Sequence, residues 1–327
     1  MNKMNGTKMN VIALCCAQED SSLQEEGLYP ADKNIISALK KIDGVSTETM
    51  LYDETELAQM HIEKETVVFN LCDSFTDGRK EGEMVEVLEK KHISFTGNKS
   101  KVIFLCMDKI AVRQTLQDVH LPVPVFFSWN KHEALPEHIS FPVIVKPAHE
   151  HGSVGIDEDA VVFDRERLQK KLSKLADEHK GPFIVEQYID GKEYCMPIIG
   201  NSNPTVLPIL EIDYSEHFEN RPKILSYKAK WSKNSLAFKD TYSRTARISE
   251  DLRQRLELVA KKVYQTLGMC GYGTVDVRVD SSENIYVIDV NANSYVAPES
   301  DMAKAAAHIN ISYPELLNKI IHFALAG

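Results

Sequence analysis

Strand-like runs alternate with helical ones through the first part of the chain, and this alternation restricts the fold more than any other feature. VIALC at residues 11–15 reads as a buried strand, and TVVFNL at residues 66–71 as a second. Ile35, Ile36, Leu39 and Ile42 fall on one helical face of residues 31–42, and Met84, Val87 and Leu88 on one face of residues 81–91. Strands separated by amphipathic helices imply a parallel or mostly parallel sheet covered by helices, here closing near Ser94, Phe95 and Gly97.

The pattern then changes. A helical stretch over residues 101–120 ends at Pro122 and Pro124. Strands are expected at 141–146 and 160–163, then a helix over 164–177 with Leu168, Leu172 and Leu175 inward. FIVEQYI (residues 183–189) begins a run of strands that reaches Asp213. Residues 214–247 are polar, rich in lysine and arginine between Arg221 and Lys233, and without clear period. A loop of that length inside a compact enzyme is usually functional, often a lid. Ser249 is placed to cap a helix carrying Leu252, Leu256, Val259, Val263 and Leu267, which Gly268 stops. Strands at 274–279 and 285–291 follow, joined by a turn at 280–284, and two further helices close the chain.

Composition narrows the function. With 38 Lys plus Arg against 48 Asp plus Glu, the 327-residue chain carries a formal charge of −10, which argues against a general nucleic-acid or anionic-membrane binder. No apolar run approaches the length of a membrane span. The polar start MNKMNGTKMN shows no signal peptide, and the six cysteines show no CxxC or regular spacing. A cytoplasmic protein with reduced thiols is expected, Cys15 and Cys16 being buried strand residues and not a redox pair.

The chemistry-bearing residues lie on the last strand pair. In TVDVRV, Thr274, Asp276 and Arg278 share one face and the valines the other. In IYVIDVNAN, Val287, Asp289, Asn291 and Asn293 share a face. Two aspartates side by side on paired strands are costly without a counter-charge. With Asn291 they suit Mg²⁺, which accepts carboxylates and keeps waters and phosphate oxygens as its other ligands. A merely solvated polar hairpin is the competing reading of this feature. Upstream, Lys146 ends the strand VIVKP and precedes HEHGSVGI. A fixed cation beside backbone N–H groups of Gly152, Ser153, Val154 and Gly155 is what phosphate binding requires. Glu186 at a strand end and Glu193 after a glycine turn offer acceptors for an amino group and a ribose hydroxyl.

Lys109, Lys146 with its glycine loop, Glu186, Glu193, Asp276, Asp289 and Asn291, in this order and spacing, resemble the ATP-grasp superfamily and, within it, the D-alanine–D-alanine ligase-like branch. The resemblance runs from about Asn70 to near the C-terminus. It is carried by FTGNKSKVIFLCMDK, GYGTVDVRVDSSENIYVIDVNAN and PESDMAKAAAHINISYPELL. It implies an α/β ATP-grasp fold of three modules, with residues 1–98 as an N-terminal domain, 99–190 as the central subdomain and 191–327 as the C-terminal subdomain. The nucleotide would lie between the second and third. By the same resemblance Lys109 and Lys146 would contact ATP phosphates under the Ser153-Val154-Gly155 loop. Glu186 would hold the adenine amino group, the backbone of Gln187 and Ile189 would read the adenine edge, and Glu193 would hold the ribose. Lys230 would be a lid lysine reaching the phosphates. Asp276, Asp289 and Asn291 would hold two Mg²⁺ ions, or Mn²⁺, and Arg278 would neutralise the reacting carboxylate or its acyl phosphate. Homodimerisation is a family expectation.

The implied reaction needs no side-chain nucleophile. A substrate carboxylate attacks the γ-phosphate, ADP leaves, and an amine displaces phosphate from the acyl phosphate; positioning and charge neutralisation do the work. No GxSxG, Walker motif or HExxH competes with that reading, and His149-Glu150-His151 sits inside the phosphate loop rather than forming a metal motif. The departures fall on substrate positions. The arginine that the family carries two residues before the metal aspartate is Thr274 here, with Arg278 two residues after it as a conjectured substitute. The histidine-glycine loop of the first domain is replaced by NLCDSFTDGRKEGE, the proline after the paired asparagines by Ser294 and Tyr295, and the metal glutamate by Asp289. A ligase with small amino-acid or peptide substrates other than D-alanine in both places is therefore expected. The alternatives are a ligase with a hydroxyl acceptor and a non-catalytic ATP-binding regulator.

Overall fold

The computed structural model describes residues 8–16, 28–63, 65–72, 79–215, 218 and 221–326. Most of the polar N-terminal decapeptide, the middle of the Asn70–Glu83 stretch and a few residues after Tyr214 lie outside them.

The chain builds three sheets in succession. The first contains β1 (Met9–Cys15), α1 (Pro30–Leu39), β2 (Val45–Leu51), α2 (Glu54–Gln59), β3 (Thr66–Asn70), α3 (Arg79–Lys90) and β4 (Ser94–Phe95). Its strand order is β2-β1-β3-β4 and every pairing is parallel, as the alternation required. A linker of two helices follows, α4 (Ser100–Met107) and α5 (Lys109–Asp118). The single helix expected over this stretch is broken at Asp108, which is extended and caps α5 by accepting from the N–H groups of Ile110 and Ala111 at 2.9 and 3.1 Å. The break turns Lys109 inward, where it is buried, and its main-chain N–H donates to Ala148 O at 3.0 Å.

The second sheet comprises β5 (Phe126–Trp129), β6 (Val143–Pro147), β7 (Val161–Val162) and β8 (Phe183–Gln187), with α6 (Arg165–Glu178) between the last two. Its order is β5-β8-β6-β7, all antiparallel. Leu168, Leu172 and Leu175 of α6 pack on Val143, Val145, Phe183 and Val185. The third sheet gathers β9 (Gly191–Ile199), β10 (Thr205–Val206) and β11 (Leu210–Tyr214). After the short helices α7 (Tyr227–Trp231) and α8 (Leu236–Lys239) come β12 (Thr241–Thr245), α9 (Glu250–Thr266), β13 (Tyr272–Asp280) and β14 (Ile285–Asn291). The order is β12-β11-β9-β13-β14, antiparallel, with β10 on β9. The stretch expected to be an aperiodic loop thus contains two helices and an edge strand. Its polar character reflects exposure, because β12 is only half-buried at best.

Ser249 caps α9, accepting from Leu252 N–H at 3.2 Å, and Gly268 ends it in the left-handed region at φ +71°. The buried face of α9 meets Val275, Val277, Val279, Val287 and Val290. The chain finishes with α10 (Asp301–His308) and α11 (Tyr313–Leu325). α11 returns to the first sheet, packing on α1, β3 and β4, so Leu316, Leu317, Ile320 and Ile321 share a core with Val11, Ile35, Leu39 and Phe69. Among the described residues no helix is long and apolar enough to cross a membrane, and no disulfide links the six cysteines.

Candidate active site

A cleft opens where the second and third sheets meet. Lys146, Glu186, Glu193, Asp276, Arg278 and Asp289 line it, with Lys230 and Ser153 contributed by the segments above. The strand ladder aligns the acidic pair. Asp276 on β13 and Asp289 on β14 are direct cross-strand partners, and Thr274 pairs with Asn291 one step along. The register then slips between Asp276 and Val277, so that Val277 faces Val287. This corrects the expected face of β14: the extra residue Ile288 lines the cleft, while Val287 turns into the core with the β13 valines.

The charges around the pair are unequal. Burial, and then the neighbouring Asp289, push the Asp276 carboxyl up to about 7. Burial also works against an ionised Asp289, but Lys109, His151, Lys146 and Lys230 together hold it down at about 2. Asp276 Oδ1 is buried without a hydrogen-bond partner. An orphaned carboxylate oxygen facing a second carboxylate is the environment that a divalent cation completes. The Asn291 Oδ1 accepts from Asn293 N–H at 2.9 Å, which orients its amide on the strand that carries Asp289. Among the described residues no cluster of three His, Cys, Asp or Glu forms a preassembled metal cage. Mg²⁺ needs none, because one or two carboxylates and phosphate oxygens suffice.

The phosphate side is built from lysines and the glycine loop. Lys109 Nζ donates to Glu150 O, and burial together with Lys146 and Arg113 lowers its pKa against the opposing pull of Asp289 and Glu186. Gly152, Ser153 and Gly155 have φ of +62°, +64° and +72°. At Gly155 a side chain would be strained by φ and would meet Pro147 Cγ at 2.5 Å, so the loop can fold back over the end of β6 only with glycine there. The segment above closes on the loop: Ser153 Oγ donates to Leu225 O at 2.6 Å, Tyr227 N–H to Ile156 O at 2.9 Å, and Trp231 Nε1 to Gly152 O at 2.8 Å. Lys230, on α7, is thereby brought over the aspartates and acts on both electrostatically. His151 is held down at about 4 by burial, and then by Lys109 and Lys230, so its ring is neutral. His149 lies outside, 3.4 Å from Asp108. The HEH run therefore faces two ways and forms no metal site.

Three placements differ from expectation. The Glu186 carboxylate does not stand free for an amino group. Arg113 Nε lies 2.5 Å from its Oε1 and Lys146 Nζ 2.8 Å from its Oε2, all three side chains being buried. Burial opposes its ionisation, yet these two cations keep its pKa lowered. The Gln187 N–H is taken by Val125 O at 2.8 Å, so it does not stand free to read an adenine edge. Arg278 does not reach into open space beside the aspartates. It is the cross-strand partner of Glu193 and sits 4% exposed, with Nη2 2.7 Å from Glu193 Oε2. Tyr214 OH donates to the same oxygen at 2.9 Å.

Arg113 was missed by sequence reasoning. It lies one helical turn after Lys109, and its guanidinium also donates to Ile288 O, tying α5 to β14. A lone arginine on the buried side of an amphipathic helix, one turn from a candidate phosphate lysine, was the available signal.

The sequence profile described as D-ala D-ala ligase C-terminus matches residues 121–322. The chain belongs to the D-alanine–D-alanine ligase family. It is 29% identical over 317 residues to a D-alanine–D-alanine ligase of Carboxydothermus hydrogenoformans, covering 94% of this chain and 96% of that one. The crystal structure of a D-alanine–D-alanine ligase from Bacillus anthracis complexed with ATP superposes with a TM-score of 0.74 at 20% identity, over 97% of this chain and 98% of that one. The VanG D-Ala:D-Ser ligase from Enterococcus faecalis gives 0.75 at 18% identity, over 97% and 99%. The fold is ATP-grasp, and the family is one of ATP-dependent ligases that form carbon–nitrogen bonds.

Proposed function

We propose that this ligase activates the carboxylate of a small amino acid or peptide as an acyl phosphate and joins it to an amine, with at least one of the two substrates other than D-alanine. The observation that carries the activation chemistry is the cross-strand Asp276–Asp289 pair with its orphaned oxygen, ringed by Lys109, Lys146 and Lys230. Asp276, Asp289 and Asn291 would hold Mg²⁺. When bound, the metal neutralises phosphate oxygens and the charge that develops during transfer.

The protein's own groups do the rest. Lys146 lines the cleft with its position fixed by Glu186, itself held by Arg113. Lys109 comes from below and Lys230 from above, so three cations surround the place where a γ-phosphoryl group would be transferred. The substrate carboxylate attacks phosphorus, ADP leaves, and the incoming amine then attacks the acyl carbon, losing a proton as phosphate departs. The closed contacts of Ser153, Tyr227 and Trp231 across the glycine loop keep water from the acyl phosphate. The second oxygen of Glu193 would accept a ribose hydroxyl.

A changed substrate pair is supported by what stands near the aspartates. Thr274, where the family carries an arginine, is hydrogen-bonded to Ser294 at 3.1 Å, and Arg278 has its donors committed elsewhere. The acceptor side therefore lacks a guanidinium and relies on Lys230. Release of ADP and phosphate against amino acids and dipeptides, alone and in pairs, tests this reading, with mass spectrometry of the products. A dehydrated adduct that needs two substrates supports it. D-alanyl-D-alanine as the preferred product rejects the changed specificity.

A further inference from the structure

Arg278 makes more contacts than a wall residue requires. Its Nε and Nη2 lie 3.2 and 2.7 Å from Glu193 Oε2, and its Nη1 donates to Ile189 O at 2.9 Å, in the turn between β8 and β9. Its Nη2 also donates to Lys223 O, and the guanidinium lies 5.0 Å from the centroid of the Tyr188 ring. Tyr188 grips the same peptide from the other side, its hydroxyl accepting from Lys223 N–H at 3.0 Å. Lys223 begins the segment that continues through Leu225, held by Ser153, to Lys230 over the aspartates.

Only a guanidinium can serve these partners together, because its donors leave the plane in a fixed fork, whereas an ammonium presents a single point. A buried arginine is costly unless paired, and among the described residues its carboxylate partner is Glu193. The orientation of Arg278 thus follows Glu193, and the root of the covering segment follows Arg278.

We propose that Arg278 is a positioning residue that couples occupancy of Glu193 by the nucleotide to closure of the segment carrying Lys230. The coupling rests on the reading of this cleft as the nucleotide site. A hydroxyl engaging Oε1 of Glu193 tightens the Glu193–Arg278 contact, and Arg278 in turn fixes the Lys223 peptide. A second role follows for the Arg278 side chain in the reaction: it acts on the phosphates only through Lys230.

The test compares amide hydrogen exchange of residues 221–231 with and without Mg²⁺ and a non-hydrolysable ATP analogue, in wild type, Arg278→Met and Arg278→Lys. Nucleotide affinity is measured in parallel by calorimetry. In wild type, nucleotide slows exchange in this segment. In Arg278→Met, affinity falls roughly tenfold, and at saturating nucleotide the slowing disappears. Arg278→Lys keeps the charge without the fork and loses the slowing likewise, which carries the test if the methionine variant fails to fold. A purely structural role would speed exchange equally with and without nucleotide and leave their ratio unchanged; that result overturns the proposal. A wild type that binds no nucleotide overturns the cleft reading and the coupling together, and is seen before any variant is compared.

Discussion

Asp276 and Asp289 face each other directly across β13 and β14, yet their carboxyls sit at opposite ends of the carboxylate range, about 7 and about 2. Lys109, Lys146 and His151 act on Asp289, and Lys230 acts on both, while Asp276 also faces the cleft beside Cys195, its cross-strand neighbour on β9. A site divided in this way is unfavourable empty and completed by a cation. Asp276→Asn is therefore expected to abolish Mg²⁺-dependent ADP release, by a hundredfold or more on the scale of ~3 kcal/mol of transition-state charge stabilisation. It should melt at or above the wild-type temperature in EDTA. Near-normal turnover in the variant, followed by coupled-enzyme assay over a Mg²⁺ titration, would remove Asp276 from the metal site.

The Arg113–Glu186–Lys146 chain is wholly buried, so deleting one end leaves an under-compensated charge. Arg113→Met should destabilise the fold by about 3–5 kcal/mol, the range for breaking a buried pair from one side. Pairing it with Glu186→Gln should restore part of that loss. Urea unfolding of both variants checks this; strictly additive losses would show that the two side chains do not interact.

Trp129 and Trp231 are the chain's two tryptophans, the first buried and the second 58% exposed with its indole N–H on Gly152 O. Nucleotide arrival beneath the glycine loop should alter emission from Trp231 alone. Trp231→Phe is expected to erase the ATP-induced fluorescence change while retaining the blue-shifted Trp129 signal. A change that persists in the variant would mean the loop and α7 do not move together.

His151 gives a pH dependence of definite sign. Burial, with Lys109 and Lys230 nearby, depresses its pKa from 6.5 to about 4. A depressed value means that the folded protein resists the proton, so this contribution to stability is present above pH 6.5 and lost as pH falls toward 4. His151→Asn should flatten the melting-temperature profile between those limits relative to wild type. Identical profiles would place the ring in a solvated setting.

What could be read from the sequence was whatever strand and helix period alone determine. The pairing of Asp276 with Asp289 needed only a hairpin, and Ser249 needed only its own helix. The glycine loop after Lys146 was visible because left-handed backbone leaves its mark in composition. The Arg278–Glu193 contact could not be read, because the partner lies 85 residues earlier and nothing local says that β9 lies beside β13. The Arg113–Glu186 contact was hidden for the same reason, the arginine lying 73 residues away on a helix. The slip at Ile288 escaped notice because one extra residue in a strand leaves no trace in its alternation.

The return of α11 to the first sheet has a consequence for biosynthesis. β1, β3 and α1 are translated well before Leu316, Leu317, Ile320 and Ile321, which share their core. At typical elongation rates of about 5–20 residues per second, the first sheet waits on the order of ten seconds or more for its cover. During that interval Phe69, Ile35 and Leu39 lack the side chains that finally enclose them. The first sheet is thus exposed to chaperones and to aggregation from its own synthesis until α11 arrives to cover it.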